Sequence, residues 1–574
     1  MTAPESVPEW LRRAAERGRE GQDGIRVLDR KERPTLLSWA QIADRARRAA
    51  SVLAAAGVGR GDAVAIVLPT SHAFFDAYLG AQWLGAVPVP LYPPVRIGRL
   101  DEYWERTSAM LRAVRPVVWV GQRRIASLLG GVSGAPPWVW ASSLLDGDPC
   151  EVLSVDADAV GMVQFSSGTT VAPKPVALTH RQMLANASCI LDIILSHGQE
   201  EPGGVSWLPL YHDMGLIGCL FPAMMGHGPL TLLPPELFLS KPASWLRAIT
   251  RYPCTVSPAP NFAYALCAER VRQDELSSLD LSRWKMALNG AEPIAPSTLA
   301  SFTDRFAPCG FARESMTPVY GLSEASLALT FGTSGQPPRV GRFDREAFGR
   351  GHIRVSDAPD AREVVSVGRA LRGFEVEVRD TDGRPATGLE GRIWARGPSV
   401  MNGYLGDLAD PVVNGWLDTG DLGFVWEDEL YISGRAKDVI VLRGRNHAPQ
   451  EIEAAASGLS EVRTGCVVAV GDLSEGSERL VIFAETARPT ESLEEGIVRA
   501  VRAACGVSAH QVVLVAPGTI PRTSSGKRRR AETLRRWRAS ALTSPKAVTG
   551  GHLARSLARS AAGYLSSKPN AEET

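Results

Sequence analysis

Short apolar runs of strand length recur along this chain, and helix-patterned segments separate them. AVAIVL (63–68), PVVWV (116–120), PWVWA (137–141) and VGMVQF (160–165) each suit a buried strand. Ser38 with Gln41 three residues on has the spacing of a capping box. Ile42, Ala46, Ala49 and Leu53 follow at helical spacing until Gly57. A second helix is predicted through Phe74, Phe75, Tyr78 and Leu84. Such alternation points to an α/β architecture, in which helices cover the faces of the strands.

A chain of 574 residues exceeds what one hydrophobic core can organise, so two or three domains are expected. The boundary is placed after the strand ELYIS, giving a large α/β domain over 1–433. Beyond it, CVVAV (466–470), RLVIFA (479–484), a helix near 493–505 and VVLVA (512–516) predict a small α+β domain over 434–541. Residues 542–574 are rich in Ser, Ala and Gly and are expected to form a flexible tail.

Composition narrows the function. Lys and Arg number 63 against 62 Asp and Glu, so no net field draws nucleic acid or an anionic membrane. The eight cysteines are scattered without a C-x-x-C pair, against a zinc site or a secreted disulfide framework. The first twenty residues lack the apolar stretch of a signal peptide, and no run of eighteen apolar residues occurs. A cytoplasmic enzyme acting on a small molecule is the expectation.

The strongest local signal follows VGMVQF. Ser166, Ser167, Gly168, Thr169 and Thr170 lead through Val171, Ala172 and Pro173 to Lys174. Small residues after a buried strand let backbone N–H groups approach an anion, hydroxyls add donors, and Lys174 adds charge. The string is not a Walker A loop, whose G-x-x-x-x-G-K-[ST] spacing it lacks. Gly321-Leu322-Ser323-Glu324-Ala325 is a near miss to the G-x-S-x-G nucleophile elbow. It ends in Ala, and no Asp–His pair is identifiable downstream.

The S-S-G-T-T-x-x-P-K string resembles the phosphate loop of the adenylate-forming superfamily. That loop usually has Gly where Val171 and Pro175 stand, and both replacements stiffen it. Further strings match in order: Asn289-Gly290-Ala291-Glu292-Pro293, Tyr320-Gly321-Leu322-Ser323-Glu324-Ala325, Asp418-Thr419-Gly420-Asp421, Gly434-Arg435-Ala436-Lys437-Asp438 and Ile520-Pro521-Arg522-Thr523-Ser524-Ser525-Gly526-Lys527. The resemblance implies several β-sheets flanked by helices in the large domain, with a mobile small domain. It implies that Gly290, Ala291 and Glu292 line an adenine pocket and that Tyr320 stacks on the base. Ser323 would reach the α-phosphate, Glu324 would hold Mg²⁺, Asp421 and Arg435 would contact ribose, Lys437 would be the interdomain pivot, and Lys527 would be catalytic. A lysine there suits the chemistry, because a carboxylate attacking a phosphate brings two anions together. Lys527 is expected on an exposed loop, and its neighbours Arg528, Arg529 and Arg530 as a solvated basic run.

Within the superfamily the chain resembles the fatty acyl-AMP ligases. WLPLYHDMGL (207–216) reads like their substrate-side motif, giving His212, Asp213 and Met214 as substrate contacts and His212 also as a catalytic candidate. SPAPNFAY (257–264) reads like their acyl-tunnel segment, giving Asn261 and Phe262. The turn-rich stretch from Phe331 to Val365 sits where this branch carries an insertion. The resemblance implies ATP and a fatty acid as substrates, Mg²⁺ as cofactor, and transfer of the acyl group to an acyl carrier protein. No D-S-L carrier motif occurs in the chain, so that partner acts in trans. Two alternatives remain open: an acyl-CoA ligase, and a catalytically silent adenylate-binding protein.

Overall fold

The computed structural model describes residues 6–94, 100–129, 132–151, 154–166, 173–196, 202–333, 335–406, 408–442, 445–473, 478–523 and 527–544. Ser167, Gly168, Thr169, Thr170 and Val171 of the phosphate loop lie outside the described residues, as does most of the expected tail.

The helix predicted after Ser38 runs Trp39–Ala55. The Ser38 N–H donates to Gln41 Oε1 at 2.9 Å, and the Gln41 N–H donates to Ser38 Oγ at 3.2 Å. Two donors that the first turn would leave unpaired are thereby satisfied. Gly57, just past the helix, takes φ +86°, which a side chain would resist.

The predicted strands Ala63–Val67, Val118–Gly121 and Trp138–Trp140 join Val87–Pro90 in a four-stranded parallel sheet. The larger sheet has nine strands among the described residues. Met316–Gly321, Met286–Gly290, Val256–Pro260, Gly204–Ser206, Pro229–Leu232 and Gly24–Leu28 run parallel in that order. Helices cover this α/β body, and the C-terminal ends of its strands lead directly into the motif strings. Open parallel sheets bind ligands at those ends.

Val160–Phe165 pairs antiparallel with Pro175–Thr179, so the phosphate loop joins two paired strands. The Ser166 N–H donates to the Lys174 carbonyl at 2.9 Å and closes its neck. Pro175 opens the second strand opposite Phe165, a position that suits a residue with no N–H.

Trp416–Trp426 is the long strand of an antiparallel sheet, and Glu429–Arg435 pairs with it, Asp421 facing Arg435. Thereafter Val467–Asp472, Arg479–Glu485 and Gln511–Val515 form a three-stranded sheet accompanied by Pro449–Ser457, Glu491–Cys505 and Arg530–Arg538. Ile452, Val467, Ile482, Ile497 and Val501 give that sheet its own core.

The arginine run is not solvated. Arg529 and Arg530 are buried and Arg528 is half-buried. Arg530 grips Glu453 with two bonds, 2.7 and 2.8 Å, and Asp438 with a third at 2.8 Å. Burial would raise the Glu453 carboxyl, but Arg528 and Arg530 outweigh it and hold it below the ordinary carboxylate range. Charges this deep persist because each has a partner.

Candidate active site

The site assembles where the strands of the large sheet end. After Gly204–Ser206 the chain reaches His212 and Asp213 and enters a short helix that widens to a π-helical turn at Leu216–Leu220. Such turns re-aim side chains within a helix. Asp213 is 6% exposed, and its carboxylate is fully engaged. Oδ1 lies 2.5 Å from His212 Nδ1 and accepts from the Met214 N–H at 2.7 Å. Oδ2 accepts from Ser323 Oγ at 2.5 Å. The Met214 N–H also reaches His212 Nδ1, at 3.4 Å. Burial would raise the Asp213 carboxyl. His212 by charge and hydrogen bond, Ser323 by hydrogen bond and Lys527 by charge outweigh it and hold Asp213 well below the usual range.

Strand Met316–Gly321 delivers the next string. A Cβ on Gly321 would fall 1.8 Å from the Leu327 carbonyl oxygen, so only glycine fits. Tyr320 donates its hydroxyl to Asp421 Oδ2 at 2.8 Å, and Arg435 Nε lies 3.0 Å from Asp421 Oδ1. Burial, then the Asp421 charge, pushes the Tyr320 phenol well above its ordinary value, so it stays a donor. Tyr320, Asp421 and Arg435 therefore form one contiguous group.

Glu324 Oε1 accepts from the Tyr404 hydroxyl at 2.8 Å, and Lys174 Nζ lies 4.5 Å from the centre of the Tyr404 ring. One tyrosine thus stands between the phosphate-loop cation and the acidic residue of the next motif. Tyr404 was not legible as a site residue. Neither was Asn186, wholly buried, whose amide binds the carbonyl of Ala328 at 2.8 Å and Ser399 Oγ at 2.9 Å. It fixes the turn after Glu324 to the helix that follows the phosphate loop.

Ala291 has φ +66°, a conformation unfavourable for a residue with a Cβ. It reverses the chain so that Glu292 Oε1 accepts from the Phe262 N–H at 2.6 Å, satisfying a free donor of the helix Asn261–Arg270. A Cβ on Gly290 would meet the Val319 carbonyl at 2.7 Å, which keeps adjacent strands close. Asn261 bonds Thr298 Oγ1 at 3.3 Å, and Phe262 packs edge-on against Trp207, ring centres 5.9 Å apart. Met214 is buried.

An apolar cavity of about 460 Å³, counting space continuous with solvent, runs along the sheet beside these segments. Gly218 and Cys219, one turn beyond Met214, line it with Val256 and Pro258, which precede Asn261. Leu191 and Ile194 close another side.

Lys527 is half-buried rather than exposed. Loss of water lowers its pKa; Asp213 opposes that, Arg435 adds to it, and Glu292 and Asp421 oppose it. All four belong to motifs far away in sequence. Lys437, by contrast, is exposed in the turn after Arg435.

Among the described residues no group of three or more His, Cys, Asp or Glu is placed to hold a metal. Glu324 offers one carboxylate. That fits Mg²⁺, which keeps several waters and shares substrate phosphates instead of needing a protein cage.

The family model for AMP-binding enzymes matches residues 15–405. A long-chain-fatty-acid–AMP ligase, FadD26 of Mycobacterium marinum, is 34% identical, the match covering 93% of this chain and 97% of that protein. A putative acyl-CoA synthetase of Caulobacter vibrioides is also 34% identical, covering 89% and 92%. A solved structure from work on fatty acyl-adenylate ligases of E. coli and L. pneumophila superposes with TM-score 0.86 at 30% identity, covering 93% of this chain and 98% of that one. With the family model and these relatives each spanning most of its length, the chain belongs to the AMP-binding enzyme family.

Proposed function

We propose that this enzyme converts a long-chain fatty acid and ATP to acyl-adenylate and pyrophosphate, then passes the acyl group to the phosphopantetheine thiol of a separate acyl carrier protein. The observation that carries the first step is Lys527. It comes from the far end of the chain, yet it is half-buried, and the charges of Asp213, Glu292 and Asp421 act on it. A fatty carboxylate oxygen attacks the α-phosphorus, and the bond from that phosphorus to the bridging oxygen breaks. The electron pair leaves on pyrophosphate. A cation at this point stabilises the transition state more than the separated anions.

The other residues divide the remaining work. Ser166, Ser167, Gly168, Thr169, Thr170 and Lys174 cradle the phosphates. Gly290, Ala291, Glu292, Tyr320 and Gly321 bound the adenine, with Asp421 and Arg435 at the ribose. Ser323 faces the α-phosphate and His212 the carboxylate. Glu324 would hold Mg²⁺, which supplies charge neutralisation for the departing pyrophosphate. Met214, Asn261 and Phe262 are the substrate contacts, and the apolar lining of the nearby cavity, with Leu191, Ile194 and Val256, suits an alkyl chain better than a polar acid.

For the second step, residues 434–541 turn as one body about Lys437, with 542–574 as a tail. The acceptor is argued from the stretch after Phe331. It folds as paired strands Val340–Phe343 and Arg362–Val365 with a short helix Arg345–Gly349. Arg345 Nη1 reaches Glu451 at 3.0 Å, Arg362 also contacts Glu451, and Arg445 reaches Glu346 at 3.0 Å. These pairs oppose rotation. A carrier protein offsets that cost with its own docking surface, whereas free CoA has less to offer. The test incubates purified enzyme with ATP, Mg²⁺, a long-chain acid and either CoA or a phosphopantetheinylated carrier protein. Thioester should form efficiently on the carrier only; efficient acyl-CoA formation would make the enzyme an acyl-CoA ligase.

A further inference from the structure

Residues 401–405 join the Glu324 turn to the second strand of the phosphate loop, and their backbone is pinned at both ends. The Met401 N–H donates to the Glu324 carbonyl at 2.8 Å, and the Leu405 N–H donates to the Pro175 carbonyl at 3.0 Å. Between these pins, Tyr404 bridges to Val176 on the strand that leaves the loop. We propose that Tyr404 is a positioning residue of adenylation: its hydroxyl orients Glu324 for Mg²⁺, and its ring face holds Lys174 for the phosphates. The inference rests on the adenylation reading above, with Glu324 as the metal ligand.

Two contacts made by one side chain carry it. Tyr404 donates to Glu324 Oε1 at 2.8 Å, which commits one carboxylate oxygen and leaves Oε2 as the oxygen for a metal ion. Burial, then the Glu324 charge, pushes the Tyr404 phenol well above its ordinary value, so the hydroxyl stays a donor. Lys174 Nζ lies 4.5 Å from the centre of the same ring, within the range at which an aromatic face attracts an ammonium. Lysine has a long, flexible stem, and a fixed face limits where its charge can go. Tyr404 is itself held firmly. Gln182 Nε2 donates to the Val400 carbonyl at 2.7 Å and to Asn402 Oδ1 at 3.2 Å, while Gln182 Oε1 caps the helix that follows the loop by accepting from the Thr179 N–H at 2.9 Å.

Two effects compete at Glu324. The bond from Tyr404 orients the carboxylate, and it also draws charge from the oxygen that accepts it. Orientation wins when the donor binds the oxygen that the metal does not use, as outer partners of metal ligands generally do.

The test separates hydroxyl from ring in the full chain. Fatty-acid-dependent ATP–pyrophosphate exchange is titrated against Mg²⁺. Binding of an ATP analogue with a methylene bridge between its α- and β-phosphorus is measured by calorimetry, with Mg²⁺ and without any metal. Tyr404→Phe keeps the ring and removes the donor. It should need about 10-fold more Mg²⁺ for half-maximal exchange, the scale of losing a partner that orients a metal ligand, with kcat recovered at saturating Mg²⁺. Its metal-free affinity for the analogue should match wild type. Tyr404→Leu removes the ring as well, and its metal-free affinity should fall about 3-fold, in line with a cation–π contact at a partly exposed ring. Tyr404→Met, tested alongside in case the Leu variant does not fold, should do the same. In a Glu324→Gln background, Tyr404→Phe should add little to the Mg²⁺ requirement. An Mg²⁺ titration of Tyr404→Phe that superimposes on wild type would overturn the proposal, as would the full shift appearing again in the Glu324→Gln background. A lower requirement would overturn it too, by showing that the hydroxyl competes with the metal. Wild-type metal-free affinity in the variants without a ring would remove the role given to Lys174. Absence of exchange in wild type would instead overturn the adenylation reading, and this inference with it.

Discussion

At the scale of single residues, the sequence offers as candidates those whose chemistry demands a fixed side chain in a fixed string. Lys174, Glu324, Asp421 and Lys527 could be named because a cation or carboxylate stood in a recognisable order. Their supports could not be named. Tyr404 joins Lys174 to Glu324, and Asn186 anchors the following turn, yet both act through contacts far apart in the chain. Arg530 was misjudged for the same reason: nothing local reveals that Glu453 waits 77 positions away. The Glu324 assignment is open to test. Glu324→Gln preserves shape and the Tyr404 contact but removes one charge from the Mg²⁺ position. Activity titrated against Mg²⁺ should require a higher concentration for half-maximal rate, roughly 10-fold for the loss of about 1.4 kcal/mol. An unchanged titration would mean Glu324 is structural.

At the scale of elements, periodicity and capping carried most of the reading. The Ser38 capping box and the strand Val160–Phe165 stand where the pattern predicted them. Strand order was not legible, because Val256–Pro260 pairs with Gly204–Ser206 and skips Pro229–Leu232, which lies on the far side against Gly24–Leu28. The π-helical turn at Leu216–Leu220 was hidden too, since a run of apolar residues looks the same at either helical period. Gly321 ties element to site. Its missing side chain lets the strand pass the Leu327 carbonyl, and backbone cannot yield as a flexible side chain would. Gly321→Ala should cost about 1–3 kcal/mol through overpacking. A lower thermal midpoint together with weaker ATP binding is expected; a variant as stable as wild type would show that the bulge at Tyr320–Gly321 has slack.

At the scale of the whole molecule, the region after Arg435 packs against the earlier part of the chain. Arg536 reaches Glu102 at 2.6 Å, and the Arg345, Arg362 and Arg445 pairs hold the region after Arg435. Breaking these half-buried pairs is the cost that a rotation must meet. Sequence order could not reveal this packing, since it depends on contacts across hundreds of residues. If Lys437 is the pivot, Lys437→Pro should separate the half-reactions, because proline fixes φ near −65°. Acyl-adenylate should still form from this arrangement, while thioester should not. Equal loss of both activities would place the pivot elsewhere.

The central claim is the first half-reaction, and it can be read without any thiol acceptor. Purified enzyme with Mg²⁺, ATP and a mixed pool of short-, medium- and long-chain fatty acids is analysed by mass spectrometry, with Lys527→Ala as control. Long-chain acyl-adenylates should accumulate in equal amount to pyrophosphate, and the control should form almost none while keeping its fold. No acyl-adenylate from any acid in the pool, or wild-type amounts from Lys527→Ala, would contradict the account.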